Sequence, residues 1–360
     1  MVTRGNHGKS RSSALLQAKL RERLRSGEVT PGELLPSVRT LSSEHGLAPK
    51  TVHRALKALA AEGLAVAEPR HGFRVLARAN DPHNGCPVAY VLAGFGTTDA
   101  GADRFHRNLQ NSLQRAMAER SWSLLGVSLG DRRPEEVMRQ LVTARTWAVI
   151  LDVVNPEFLE LVEKARMPAV MVDAWVENAP FDAVLQNNYQ GGFLAANHLV
   201  KKGHERVAWF GPIKDSSHSR ERFGGAAAAL ASAGLDIPVE RRFNAAQKDE
   251  VAVAQALLSA APRPTAVLAL WQSKALAVGE AARQLGLVMG RDFDLVGWCT
   301  DDTYDLYATR FDAGQVPSVI VWRVEDMAQA AITRLAERWS HPDLPRMRLS
   351  VGVKLVEAKA

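Results

Sequence analysis

From Val88 onward the chain alternates short apolar runs with longer amphipathic stretches, and this alternation constrains the fold more than any other feature. The runs are VAYVLA at 88–93, WSLLGVSL at 122–129, WAVILDV at 147–153, PAVMVD at 168–173, DAVLQN at 182–187, RVAWFG at 206–211, TAVLALW at 265–271 and FDLVGW at 293–298. Helical patterns such as 104–120, 134–145, 189–202, 220–233 and 274–286 lie between them. Short apolar runs separated by amphipathic helices describe strands buried on both faces, hence parallel sheets covered by helices. So many units exceed one six-stranded sheet, and the pattern predicts two α/β lobes.

The first quarter of the chain has a different texture and a different charge. Residues 1–80 hold 14 Lys and Arg against 6 Asp and Glu, a net of +8, while the remaining 280 residues carry −2. A basic module on a near-neutral body points to nucleic acid or another anionic surface as the partner of the front end. Residues 1–12 are basic and rich in Gly and Ser, and read as a disordered arm. A compact block spans 13–77. The stretch 78–87, with two prolines, a glycine and two asparagines, reads as a linker. Cys86 and Cys299 are too few for a disulfide framework or a cysteine-rich metal site. There is no apolar run of transmembrane length and no secretory leader, so a cytoplasmic protein without membrane attachment is expected.

Within the compact block, Leu16, Leu20 and Leu24 share one face of a first helix. Ser37 is placed to cap a helix over 38–45, Gly46 to end it in a tight turn, and Pro49 to begin a helix over 49–62. Val52, Leu56 and Leu59 face inward, which leaves Lys50, Thr51, His53 and Arg54 on or near the exposed side. Helix, short glycine turn, helix is the shape that lays its second helix in a DNA major groove. Two short strands around the tip Pro69-Arg70-His71-Gly72 then make a wing.

Leu35-Pro36-Ser37-Val38-Arg39, Leu41-Ser42, Gly46-Leu47, Thr51-Val52 with Ala55-Leu56 and Leu59, and Glu62-Gly63-Leu64 together resemble the DNA-binding domain of the GntR family of bacterial regulators. The resemblance implies DNA contacts from Ser37, Arg39, Lys50, Thr51, His53, Arg54, Arg70, His71 and Gly72. The chain departs from the family where a Ser/Thr-Arg pair is usual and Ala48-Pro49 stand, and again at His53, where Arg is usual.

The body carries Pro168 to Asp173, Asn187-Asn188-Tyr189-Gln190-Gly191-Gly192, Gly203-His204-Glu205-Arg206, Arg222-Phe223-Gly224-Gly225 and Leu295-Val296-Gly297. Through these residues it resembles the effector domain of LacI/GalR repressors, which share the periplasmic sugar-binding fold. The implied fold is an N-terminal winged helix-turn-helix joined to a two-lobed α/β periplasmic-binding-protein-like domain over 88–360. One lobe would comprise about 88–185 plus 318–340, the other about 186–317 plus 341–360. Arg222 matches the family's ligand-binding arginine. Where the family has Asn-Asp, this chain has Ser273-Lys274. Where it often has Gln, this chain has Trp322. Sugar-binding carboxylates are thereby displaced, while Trp271, Trp298 and Trp322 stand at strand ends where an indole face could stack on a ring. Asp103, Arg104 and Phe105 complete the candidate cleft residues.

Gly126-Val127-Ser128-Leu129-Gly130 fits the nucleophile-elbow pattern. However, Asp131 to Pro134 delay the following helix, and no later His has a triad context. Dinucleotide, phosphate-loop and zinc spacings are incomplete, so no cofactor is expected. The sequence thus describes a non-enzymatic transcription regulator, a homodimeric repressor. Its expected partners are a double-stranded DNA operator and a small, sugar-like effector. The alternatives are a ligand-independent DNA-binding protein and a hydrolase acting through Ser128.

Overall fold

A computed structural model describes residues 6–25, 28–29, 33–61, 64–68, 72–75, 87–93, 100–120, 122–312 and 314–358. The chain divides into two units at Pro87–Val88. The expected linker over 78–87 lies outside the described residues but for Pro87, as do Arg70 and His71 of the wing tip.

The first unit contains α1 (Asn6–Arg25), α2 (Val38–His45), α3 (Pro49–Ala61), β1 (Ala65–Glu68) and β2 (Gly72–Val75). Residues 6–12, expected in a disordered arm, are the opening turns of α1. Leu16, Leu20 and Leu24 pack with Leu41 of α2, Leu56 and Leu59 of α3, and Phe73 of β2. Ser37 caps α2, its Oγ accepting the Thr40 N–H at 3.1 Å, and Gly46 ends the helix in the left-handed region (φ 62°). β1 and β2 pair antiparallel, Ala65 opposite Val75 and Glu68 opposite Gly72. Leu35 donates its N–H to the Phe73 carbonyl, and Val75 donates to the carbonyl of Glu33, so residues 33–35 extend this small sheet.

The second unit has two six-stranded sheets. The first lobe is built from β3 (Val88–Leu92), α4 (Ala100–Ala118), β4 (Leu124–Ser128), α5 (Pro134–Thr143), β5 (Ala148–Asp152), α6 (Pro156–Lys164), β6 (Ala169–Val172) and β7 (Asp182–Gln186). The second comprises α7 (Asn188–Lys201), β8 (Val207–Phe210), α8 (Ser217–Ala231), β9 (Arg242–Phe243), α9 (Glu250–Ser259), β10 (Ala266–Ala269), α10 (Gln272–Leu285), β11 (Asp294–Thr300), α11 (Tyr304–Ala308) and β12 (Ser318–Trp322). The chain then returns through α12 (Val324–Ser340), β13 (Arg348–Val351) and β14 (Lys354–Val356). Strand orders are β13-β7-β6-β5-β3-β4 and β14-β12-β11-β10-β8-β9, all parallel except β14 against β12.

The lobe boundaries differ from those expected at the C-terminal end. Residues 318–322 were expected in the first lobe, but β12 continues the second sheet beside β11, Val296 opposite Ser318. Residues 348–351 were expected in the second lobe, but β13 extends the first sheet beside β7. A buried charge cluster anchors this return. Asp182, 1% exposed, accepts from Arg334 at 2.9 Å, Arg338 at 2.8 Å and the Met347 N–H at 2.7 Å. It thereby clamps α12 and the approach to β13 onto β7. The chain passes between lobes three times, after β7, after β12 and between β13 and β14.

In each sheet the first strand of the lobe lies inside, with the second strand on one flank and the third on the other. The carboxyl ends flanking such a reversal form a crevice.

The closest helix packing in the second lobe is between α7 and α8. A Cβ on Gly192 would overlap the Arg222 carbonyl, and one on Gly225 would overlap the Tyr189 carbonyl, whereas one on Gly224 meets open space. Gly225→Ala should therefore destabilise the second unit by about 1–3 kcal/mol through overpacking. Gly224→Ala should be neutral or stabilising by up to about 1 kcal/mol from helix propensity. Urea denaturation midpoints check the contrast, and equal midpoints for the two variants would contradict it.

Candidate functional site

The winged-helix unit presents its basic side chains on the leading part of α3 and nearby. Arg39, Lys50, His53 and Arg54 are exposed, and among the described residues Arg39, Lys50 and Arg54 make no ion pair. The His53 ring meets Phe73 edge-on, ring centroids 5.8 Å apart, which ties α3 to the wing. Gly72 is exposed and takes φ 106°, a conformation side-chain-bearing residues rarely adopt. One expected contact differs in placement. Thr51 is 7% exposed because it points into the three-helix core rather than away from it. The Ser37 hydroxyl is engaged at the cap, hydrogen-bonded also with the Thr40 hydroxyl at 2.8 Å.

In the second unit a cavity of about 350 Å³ opens at the carboxyl ends of both sheets. Each lobe contributes from its strand ends. Phe105 and His106 enter from α4, Asp173 from the turn after β6 and Gln186 from the end of β7. From the second lobe come His218 and Arg222 of α8, Trp271 before α10, Trp298 of β11 and Trp322 of β12.

Arg222 is the centre of the arrangement. It is 1% exposed, its Nε donates to Asn188 Oδ1 at 2.8 Å, and a terminal nitrogen donates to the Leu270 carbonyl at 2.8 Å. Its guanidinium carbon lies 3.7 Å from the Trp298 ring centroid, 4.9 Å from that of Trp271 and 5.7 Å from that of Trp322. Burial pulls its pKa down to about 9, against the opposing pull of Asp173 and Glu221, so it stays charged at neutral pH. Trp298 is wedged between this cation and α7, where Gly191 leaves room for the indole. Trp298 and Trp322 meet edge to face at 6.4 Å, and Phe105 reaches Trp322 from the opposite lobe at 6.2 Å.

Two carboxylate–histidine pairs, missed in the sequence reading, frame the first-lobe side. Asp152 accepts from Tyr90 Oη at 2.6 Å and lies 2.8 Å from His106 Nδ1. Asp173 lies 3.0 Å from His218 Nε2, so this pair spans the cleft from one lobe to the other. Burial raises the Asp173 carboxyl, but His218, with His106 and Arg222 behind it, holds it below its ordinary value. Asp173 also takes a left-handed backbone (φ 50°), a strained state for a non-glycine residue. Asn108 to Asp302 at 2.5 Å and the Arg348–Glu221 pair bridge the lobes further out.

Some expected cleft residues lie elsewhere. Ser273 faces Glu250 (3.3 Å) beside a separate groove along α10, because it sits on the flank of that helix turned from the cavity. Its neighbour Lys274 is buried against Glu250 at 2.8 Å. Arg104 is exposed and lines the same groove, one residue out of phase with Phe105 on α4. Asp103 begins the same helix, but its side chain lies outside the described residues. Ser128 ends β4 and does not line the cavity. The strand-end position of Asp173 and Gln186 was a usable signal. Nothing local marks His218, which only the fold brings to the cleft.

Known proteins share both units. Residues 13–75 match the gntR family of bacterial regulatory proteins, and residues 196–358 match a periplasmic binding protein-like domain. The chain is 27% identical over 197 residues to the HTH-type transcriptional repressor PurR of Mannheimia succiniciproducens. That match covers 54% of this chain and 57% of PurR, little more than half the relative's length. It is 27% identical over 274 residues to the ribose operon repressor of Escherichia coli, covering 72% of this chain and 78% of the repressor. The structure of the transcriptional regulator CelR in complex with cellobiose has the same fold. Its TM-score is 0.66, with 19% identity over 90% of this chain and 100% of that one. The chain thus joins a domain similar to gntR-family DNA-binding domains to a periplasmic-binding-protein-like domain, the two modules its sequence and fold share with bacterial transcription repressors.

Proposed function

We propose that this regulator is a repressor, a homodimer that holds a near-palindromic operator through its winged helices and releases or retains it according to a sugar-like effector in the cleft. The observation that carries this reading is the cavity itself. It sets one buried arginine and three tryptophans of the second lobe against Phe105, His106, Asp173 and Gln186 of the first, while the separate winged-helix unit presents unpaired basic residues. Convergent polar groups in a concave apolar site are the usual form of a small-molecule site. Arg39, Lys50, His53 and Arg54, with Arg70, His71 and Gly72 at the wing, are the proposed DNA contacts. An effector that contacts both walls favours the closed arrangement of the lobes. Such differential affinity is what coupling to the DNA-binding units requires. The matched proteins being transcription regulators, Ser128→Ala is expected to leave regulation intact.

Removal of residues 1–80 should abolish sequence-specific DNA binding. Operator affinity of the full chain should fall steeply with salt, and Lys50→Ala should reduce the log–log slope by about 1. Fluorescence anisotropy on operator DNA across a salt series checks this, and a salt-independent affinity would contradict it. Asp173→Asn weakens the charge-assisted bridge to His218, at an expected cost of about 1.5–3 kcal/mol at pH 7. Because the Asp173 carboxyl is held below its ordinary value, its contribution is present above about pH 4 and lost as the pH falls further. The stability gap between wild type and variant should therefore close on acidification, measured by thermal unfolding across pH.

A further inference from the structure

The one arginine among the described residues of the cavity wall has no carboxylate in direct contact. Arg222 is 1% exposed, and the hydrogen bonds it makes go to neutral acceptors, the Asn188 amide and the Leu270 carbonyl. Among the described residues no carboxylate lies within ion-pair distance of it. The two carboxylates beside the cavity are engaged elsewhere, Asp173 with His218, and Asp152 with Tyr90 and His106. A buried cation with no carboxylate in contact is unfavourable, and its partner in such a site is commonly the ligand.

Three further observations point the same way. Trp322 Nε1, on a residue 9% exposed, and Gln186 Oε1, on a residue 2% exposed, line the cavity without a hydrogen-bond partner. They supply one donor and one acceptor to whatever fills it. The first turns of α8 and α10 begin at the cavity wall, at His218 and Gln272, and helix N-termini favour anions. The histidines His106 and His218 line the cavity from opposite lobes. Neutral sugars donate many hydroxyl hydrogens and are best met by free carboxylates, whereas the carboxylate in this wall, Asp173, is taken by His218 and the unengaged groups are the guanidinium N–H groups and the Trp322 indole N–H.

We propose that the effector is an acidic sugar of the uronate or aldonate class, its carboxylate on Arg222 and its carbon skeleton against the tryptophans. The inference rests on the effector-sensor reading above and specifies its ligand. Arg222 spends the face of its guanidinium on Trp298, so the in-plane N–H groups not used by Asn188 and Leu270 are those that meet a carboxylate. The apolar faces of the indoles take the C–H side of the sugar, and Gln186 Oε1 accepts from a hydroxyl.

The test is isothermal titration calorimetry on the full chain. The probes are glucuronate, galacturonate and gluconate, set against glucose, galactose, glucuronamide and gluconamide, with benzoate as a non-sugar acid. At least one acid should bind, and its uncharged amide and neutral parent should bind at least about 100-fold more weakly. The amides match the acids in shape without the charge, so this comparison needs no altered protein. In Arg222→Gln the preference for acid over amide should shrink toward unity. Equal or tighter binding of glucose, galactose or an amide overturns the acidic-sugar proposal and leaves a sugar sensor standing. Binding of benzoate without any sugar removes the sugar reading as well. Binding of no probe overturns the acidic-sugar proposal.

Discussion

The contact on which the cleft depends is a backbone-to-backbone approach of two helices. α7 and α8 meet where Gly192 faces the Arg222 carbonyl and Gly225 faces the Tyr189 carbonyl, with no room for a Cβ at either place. This approach sets how far Arg222 stands from β11. It also brings the Asn188 amide, at the start of α7, within reach of the guanidinium. One residue along α7, Gly191 admits the edge of Trp298, whose face then supports the same guanidinium. Three small residues thus determine where a buried charge sits, because dense interiors translate a single methyl into a displacement of the helix that carries it.

Around that charge the acidic side chains are divided by task. Asp182 is spent on architecture, gathering Arg334, Arg338 and the Met347 N–H so that α12 and β13 return to the first lobe. Asp152 orients His106 and Tyr90 within one lobe, while Asp173 reaches across to His218 on the other. The cross-lobe pair sits on the strained backbone of Asp173, at the edge of the cavity rather than in a core. Local strain and a polar interlobe contact in the same residue fit an element that can be made and unmade as the lobes move.

Much of this was legible beforehand, and the failures have specific causes. The winged helix was readable because Ser37, Gly46 and Pro49 act locally, each through the backbone conformation or hydrogen bond it makes with near neighbours. The strand-end tryptophans were readable because a parallel strand has one carboxyl end and the crevice lies there. Thr51 was misplaced because the surface and core faces of a short helix differ by one residue in phase. Ser273 and Arg104 fell outside the cavity for the same reason. Residues 318–322 and 348–351 lie in the lobes opposite to those the resemblance implied, because local sequence does not state which sheet a strand joins. That choice is made by long-range partners, β11 for one and β7 for the other.

The sequence by itself determined the sequence of modules, the basic front and near-neutral body, the alternation of strands and helices, and the aromatic character of the cleft. These follow from composition, short-range periodicity and local capping, which do not depend on distant contacts. The tertiary structure alone decided the pairing of charges. His218 meets Asp173 and His106 meets Asp152 across 45 and 46 residues of chain, while Arg222 is left among indoles with neutral acceptors. Electrostatic partnership depends on distance in space and on burial, and neither can be read from spacing along the chain.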